Sequence, residues 1–163
     1  MRHRMVPIAR RTPIQRSQKP IPRTKRPAKH RKTTLGAAKR TLWDYFASYV
    51  KTRDGNCCIS CGALATGGSL HAGHLFSRRH AATLYDPKNC HSQCAGCNRG
   101  RRGNTPAYAD AFIERYGTAE FVALARRSRR VKHWTLQEVL ELTAALKRSG
   151  ADFELLYAER YVL

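Results

Sequence analysis

The chain has 163 residues, 31 of them Lys or Arg against 11 Asp or Glu, giving a formal net charge of +20 and a pI near 10.5. That balance points to a polyanionic partner such as nucleic acid. No apolar run approaches the roughly 18 residues of a membrane span, and no apolar signal-peptide core is present. Membrane-spanning and secreted classes are therefore not expected, and a reducing cytoplasm is the expected compartment.

The charge is concentrated at one end. Residues 1–40 hold 14 Lys/Arg and no acidic residue, and residues 1–34 carry five of the seven prolines. Phrases such as Arg11-Thr12-Pro13-Ile14 and Lys19-Pro20-Ile21-Pro22-Arg23 offer too little apolar bulk to bury a core. Residues 1–34 are expected to form a disordered basic arm that contacts phosphates, with a solubility tail as the alternative.

The folded part is expected to be one domain, residues 35–163. Residues 35–53 read as a helix because Leu42, Phe46, Tyr49 and Val50 recur on one face, and Asp54-Gly55-Asn56 ends it in a turn. Residues 69–76 read as a strand that brings His74 near its end, and residues 89–93 as a returning strand. A helix from Cys94 to about Arg101 follows. Thr105 before Pro106 predicts a helix start, and Gly117 a helix end. Thr135 with Glu138 forms a capping box ahead of Val139, Leu142, Ala145 and Leu146, with Gly150 stopping that helix and residues 152–162 adding a last one.

Two C-x2-C pairs frame the middle of the chain, Cys58 with Cys61 and Cys94 with Cys97. In a reducing compartment such pairs hold metal more readily than they form disulfides, and four thiolates suit one tetrahedral Zn2+. The segment between them is longer than the roughly 15 to 20 residues of an ordinary two-pair zinc finger. It holds His71, His74, Asn89 and His91, so a functional insert with its imidazoles on one cleft is expected. Cys57 and Cys90 receive no ligand role, although Cys57 could replace Cys58 if the register shifts by one. The fold class is α+β: a small zinc-clamped ββα core at about 56–104, flanked by a helical scaffold at 35–53 and 105–163.

The segments Cys58-Ile-Ser-Cys61-Gly62, Ala72-Gly73-His74, Ser77-Arg78-Arg79-His80, Asn89-Cys-His91-Ser-Gln93-Cys94-Ala-Gly-Cys97-Asn98 and Gly103-Asn104 closely resemble the phage NinG/Rap recombination proteins. Those proteins belong to the HNH, or ββα-metal, endonucleases. The likeness extends from about Leu42 to Thr135 and on toward Lys147. It implies metal-dependent cleavage of DNA, with branched recombination intermediates such as D-loops and Holliday junctions as substrates. Symmetric cutting of a four-way junction would call for a homodimer, and recombination proteins are the further partners implied.

Within that resemblance His74 is the expected general base, because a neutral imidazole accepts a proton from water near neutral pH. Asn89 is expected to orient it. A catalytic Mg2+ or Mn2+ would bind the scissile phosphate, with Asn98 and His71 as candidate ligands. The wider superfamily often has a ligand just before the base, where this chain has Gly73. His71 stands where an acidic residue is expected among the phage relatives, which shifts preference toward softer ions. Arg78, Arg79, Arg99, Arg101 and Arg102 are candidate phosphate contacts, and Arg126, Arg127, Arg129, Arg130 and Lys132 a second basic stripe. The competing function class is a non-catalytic zinc-knuckle protein that only binds nucleic acid.

Overall fold

The computed structural model describes residues 33–162. The expected basic arm, 1–34, lies almost entirely outside the described residues.

Helix α1 runs Leu35–Arg53 and starts where Thr34 accepts a hydrogen bond from the Ala37 N–H at 3.2 Å. Ala38, Leu42, Phe46 and Val50 recur every four residues and form its buried face. The helix stops because Gly55 and Asn56 adopt φ of 60° and 57°, which turns the chain back. Asp54 anchors that turn to the sheet by accepting from the Ser92 N–H at 2.7 Å. Arg53 adds bonds to the carbonyls of Pro87 at 2.8 Å and Cys90 at 2.9 Å.

Strands β1 (Leu70–His74) and β2 (Cys90–Cys94) pair antiparallel, with Leu70 opposite Cys94 and His74 opposite Cys90. Side chains alternate across a strand, so each face has its own company. Ala72 and Cys90 join the larger core, built on Leu42, Phe46, Val50, Tyr85, Trp134, Val139, Leu142, Phe153 and Tyr157. His91 packs on the other side against Tyr108, Phe112 and Tyr116 of the next helix.

The helix expected from Cys94 is only a short, wide turn, Gly96–Gly100, because β2 continues through Cys94. Gly96 and Gly100 each disfavour regular helix by about 1 kcal/mol, and the local geometry follows the thiols. Helix α2 spans Thr105–Ser128, broken at Gly117, whose φ of 83° and ψ of 158° are not helical. Its cap is Asn104, in the left-handed region, so Thr105 opens the helix instead of capping it.

Helix α3 (Leu136–Arg148) begins in the expected capping box, with Thr135 Oγ1 accepting from Glu138 N at 3.2 Å and Glu138 Oε2 accepting from Thr135 N at 2.8 Å. It ends at Ser149, which caps α4 (Gly150–Tyr157). Gly150 therefore opens a helix as well as ending one. It also allows a close approach, since a Cβ there would lie 2.4 Å from the Tyr49 ring. A second wide turn, Ala158–Val162, completes the described chain. Helix α1 packs on β1 and α3, and α3 on α4, which leaves the sheet held between the helical scaffold and α2.

Candidate functional site

The sheet register brings the two cysteine pairs together. Cys94 is the last residue of β2, and the Cys58 loop is fastened to the same strand by the Ile59 N–H bond to the Ser92 carbonyl at 2.9 Å. The thiols of Cys58, Cys61, Cys94 and Cys97 lie within 4.8 Å of one another, with Cys61 and Cys94 Sγ at 3.8 Å. Four sulfurs at about 2.3 Å from one tetrahedral zinc are about 3.8 Å apart, so the cluster fits such an ion. The Cys97 N–H reaches Cys94 Sγ at 3.4 Å and lowers that thiol to about 7, while burial raises the Cys97 thiol beside it. Cys57 bonds to the Gly62 carbonyl, and Cys90 is buried in the main core.

His74, at the end of β1, is stacked on Trp43 of α1 with ring centroids 5.3 Å apart and planes 18° apart. Its Nε2 lies 2.9 Å from the Leu84 carbonyl. A carbonyl only accepts, so Nε2 carries the hydrogen and Nδ1 keeps its lone pair. Burial, with the nearby Arg78 charge, lowers its pKa to about 4 and keeps the ring neutral at pH 7.

Asn89 is fully buried below the loop that supplies Leu84. Its Oδ1 accepts from Phe76 N at 2.8 Å, and its Nδ2 donates to the carbonyls of Phe76 and Thr83, both at 2.9 Å. It touches the loop, and through Thr83 it holds the neighbour of the Leu84 carbonyl.

His71 and Asn98, the two candidate ligands, meet directly with Nδ1 and Nδ2 2.9 Å apart. His91 does not join them. It is fully buried, its Nδ1 is 3.0 Å from Tyr108 Oη and its Nε2 2.9 Å from Tyr116 Oη, and burial lowers its pKa to about 3. The expectation that all the imidazoles share one cleft is therefore corrected.

Among the arginines, Arg78, Arg79, Arg99, Arg101 and Arg102 are exposed, and Arg78 lies over the Trp43 ring at 4.3 Å. Arg127 is not available to a basic stripe. It is 5% exposed and paired with Asp86 at 3.2 Å and Glu120 at 2.8 Å. Lys132 is likewise engaged with Glu138 and the Trp134 ring. A cavity of about 850 Å³ is lined by Tyr45, Tyr49, Arg53, Arg115 and Glu154, away from His74 and the cysteines.

Sequence reading missed Trp43, the Leu84 carbonyl, and the Tyr108 and Tyr116 hydroxyls. Trp43 carried a signal, being a large aromatic just beside the buried face of α1. A backbone carbonyl carries none.

Taken together, fold and site define a small mixed protein in which four cysteines able to hold a metal such as zinc clamp a two-stranded antiparallel sheet among helices. Among the described residues no helix is long and apolar enough to cross a membrane. The family model described as bacteriophage lambda NinG protein matches residues 4–154, and the chain belongs to that family. Membership implies a phage recombination-related protein. No curated protein and no solved structure matches the chain.

Proposed function

We propose that the chain is a metal-dependent DNA endonuclease of the HNH type, acting on branched intermediates of phage recombination. The observation that carries this reading is the state of His74, a neutral ring whose Nε2–H is spent on the Leu84 carbonyl and whose Nδ1 is left to accept a proton.

In this reading Nδ1 takes a proton from water as the water oxygen attacks phosphorus. The P–O3′ bond breaks, and the leaving 3′ oxygen is protonated from solvent. Trp43 and Leu84 hold the ring, and Asn89 holds the loop. Zn2+ on Cys58, Cys61, Cys94 and Cys97 would tie the loop that precedes β1 to the end of β2. His71 and Asn98 would hold Mg2+ or Mn2+, which offsets charge on the phosphate and on the departing oxygen. The exposed Arg78, Arg79, Arg99, Arg101 and Arg102, with the arm, would bind flanking phosphates.

The test is nicking of a D-loop, a four-way junction and a linear duplex with Mg2+, Mn2+ or EDTA. His74→Ala should lose about 10²-fold or more in rate while keeping zinc and DNA binding. Undiminished cutting by that variant would remove His74 as the base. Wild-type protein that binds every substrate and cuts none would leave the non-catalytic binder.

A further inference from the structure

The cavity of about 850 Å³ between α1, α2 and α4 has no part in the nuclease reading. Its size falls within the roughly 300–1,000 Å³ of ligand sites. Tyrosine is its commonest lining residue, yet three of those hydroxyls are engaged elsewhere. Tyr49 Oη donates to Glu154, Tyr157 Oη donates to the Ala82 carbonyl at 3.0 Å, and Tyr116 Oη lies 2.9 Å from His91 Nε2. These side chains therefore offer the cavity rings and not hydrogen-bond donors. A polyol would lack polar partners there, whereas a flat unsaturated ring would pack well.

Three of the lining rings also have a cation beside them. Lys147 Nζ is 5.3 Å from the Tyr45 centroid, and the guanidinium carbons of Arg53 and Arg115 are 5.6 Å and 5.3 Å from those of Tyr49 and Tyr116. Arg53 is committed to Asp54 at 2.8 Å and to the carbonyls of Pro87 and Cys90. Asp54 carries one negative charge, which Arg53 offsets. Arg115, 3.9 Å from the same carboxylate and 49% exposed, therefore keeps most of its own charge. Lys147 is exposed and forms no ion pair among the described residues. The lining carboxylates are already occupied, Glu154 by Tyr49 and Asp86 by Arg127 at 3.2 Å. What the lining leaves over is aromatic surface and positive charge.

We propose that this cavity, apart from the His74 site, takes one unpaired nucleotide of a DNA strand, with its base against the tyrosine rings and its phosphate on Arg115. A base inside a duplex has both faces stacked and its edge paired, so only an unpaired base can enter. Bases on aromatic faces with phosphates on basic side chains are the general chemistry of single-strand binding. The formal charge of +20 attracts the strand on either side of that nucleotide, a contribution that a free mononucleotide would not use. The proposal rests on the reading of DNA as the partner.

The experiment is fluorescence anisotropy of the zinc-loaded full chain with a labelled single strand of about 12 nucleotides and with a blunt duplex of equal length, without added divalent cation. Zinc content and urea midpoint are recorded for every variant. Ala151→Trp fills the cavity from an exposed position, and Tyr45→Ala removes a ring. Each should weaken strand binding about tenfold and leave duplex binding within about twofold. Tyr45→Phe should bind like the wild type, because the ring is used and the hydroxyl is not. Arg115→Ala should weaken strand binding and lower the slope of log affinity against log salt by about 0.7.

Unchanged strand affinity in folded Ala151→Trp or Tyr45→Ala would overturn the site. Equal weakening of strand and duplex would also overturn it, since that marks a general loss of charge or fold. So would an Ala151→Trp protein that loses binding of deoxyadenosine monophosphate and spares the strand, because the cavity would then serve a free nucleotide. Cutting is read separately. A wild type that cuts branched DNA while its cavity variants bind every strand normally loses this site alone, and one that binds strands through the cavity and cuts nothing loses the nuclease reading alone.

Discussion

Truncating Asn89 should cost stability and order in one step, and the size of the effect follows from its bonds. The amide accepts from Phe76 N and donates to the carbonyls of Phe76 and Thr83 at 2.8 to 2.9 Å, all in a fully buried position. Asn89→Ala leaves three backbone groups without that partner, at about 1 kcal/mol each, so a loss of about 3 kcal/mol is expected. With a urea slope of about 1–3 kcal/mol per molar, the midpoint of the zinc-loaded protein should fall by at least about 1 M. Asn89→Asp should do no better, because it keeps the Phe76 N–H bond and turns the two donated bonds into contacts between lone pairs. Thr83 adjoins the Leu84 carbonyl that holds His74 Nε2, so the folded fraction should also cut about 10²-fold more slowly. A change in stability below about 0.5 kcal/mol would refute the claim that this amide fastens the loop. Full destabilisation with undiminished cutting would refute the claim that the loop orders the base.

The acid limb of the cleavage profile should fall near pH 4, where burial holds His74, and not near the ordinary histidine value of about 6.5; a limb at 6.5 would show a solvated ring. His74 at about 4 and His91 at about 3 both bind protons more weakly folded than unfolded, so stability is full above about pH 6.5 and declines as pH falls toward those values. Urea midpoints at pH 5 and pH 7, with zinc saturating, should differ in that direction, and equal midpoints would contradict the burial of both rings. Cys94→Ser should lower zinc below one ion per chain by elemental analysis and unfold the core, while a folded, fully zinc-loaded variant would contradict the clamp. Arg127→Met should cost about 3–5 kcal/mol by leaving Asp86 buried without its partner, and adding Asp86→Leu should recover most of it in chemical denaturation.

What was legible in the sequence is what local chemistry and periodicity encode. Leu42, Phe46 and Val50 gave α1 its buried face, and the Thr135–Glu138 box gave α3 its first turn. The C-x2-C spacing selected the four thiols that come together. Tertiary pairing decided the rest. Cys94 extends β2 because Leu70 is there to pair with it, which shortened the expected helix to a wide turn. Arg127 reads as surface charge in a basic run, yet Asp86, 41 positions away in the chain, draws it inward. Gln93 looked like one polar residue in a cysteine-rich motif. Its buried amide fills the space left by the missing Cβ of Gly73 on the opposite strand, which no linear pattern displays.

Of the four histidines between the cysteine pairs, His71, His74 and His91 show why residue type alone could not divide the labour. His91 has both ring nitrogens engaged by tyrosine hydroxyls. Tyr108 Oη also lies 3.1 Å from the Gly73 carbonyl, which can only accept, so Tyr108 gives its hydrogen there and receives one from His91 Nδ1. Nε2 must then accept from Tyr116, and the ring has no lone pair left to offer. It is a brace for β1 just before His74. His74 spends its one hydrogen on Leu84 and keeps Nδ1, the condition for a base. His71 has the Asn98 amide beside one nitrogen and, among the described residues, no hydrogen bond on the other, as the ligand role proposed for it requires. Counting the lone pairs that the fold leaves uncommitted, instead of counting histidines, assigns each ring a different chemistry. Replacing Tyr108 by Phe should therefore disturb β1 and the pairing of Gly73 before it alters the proton affinity of His74.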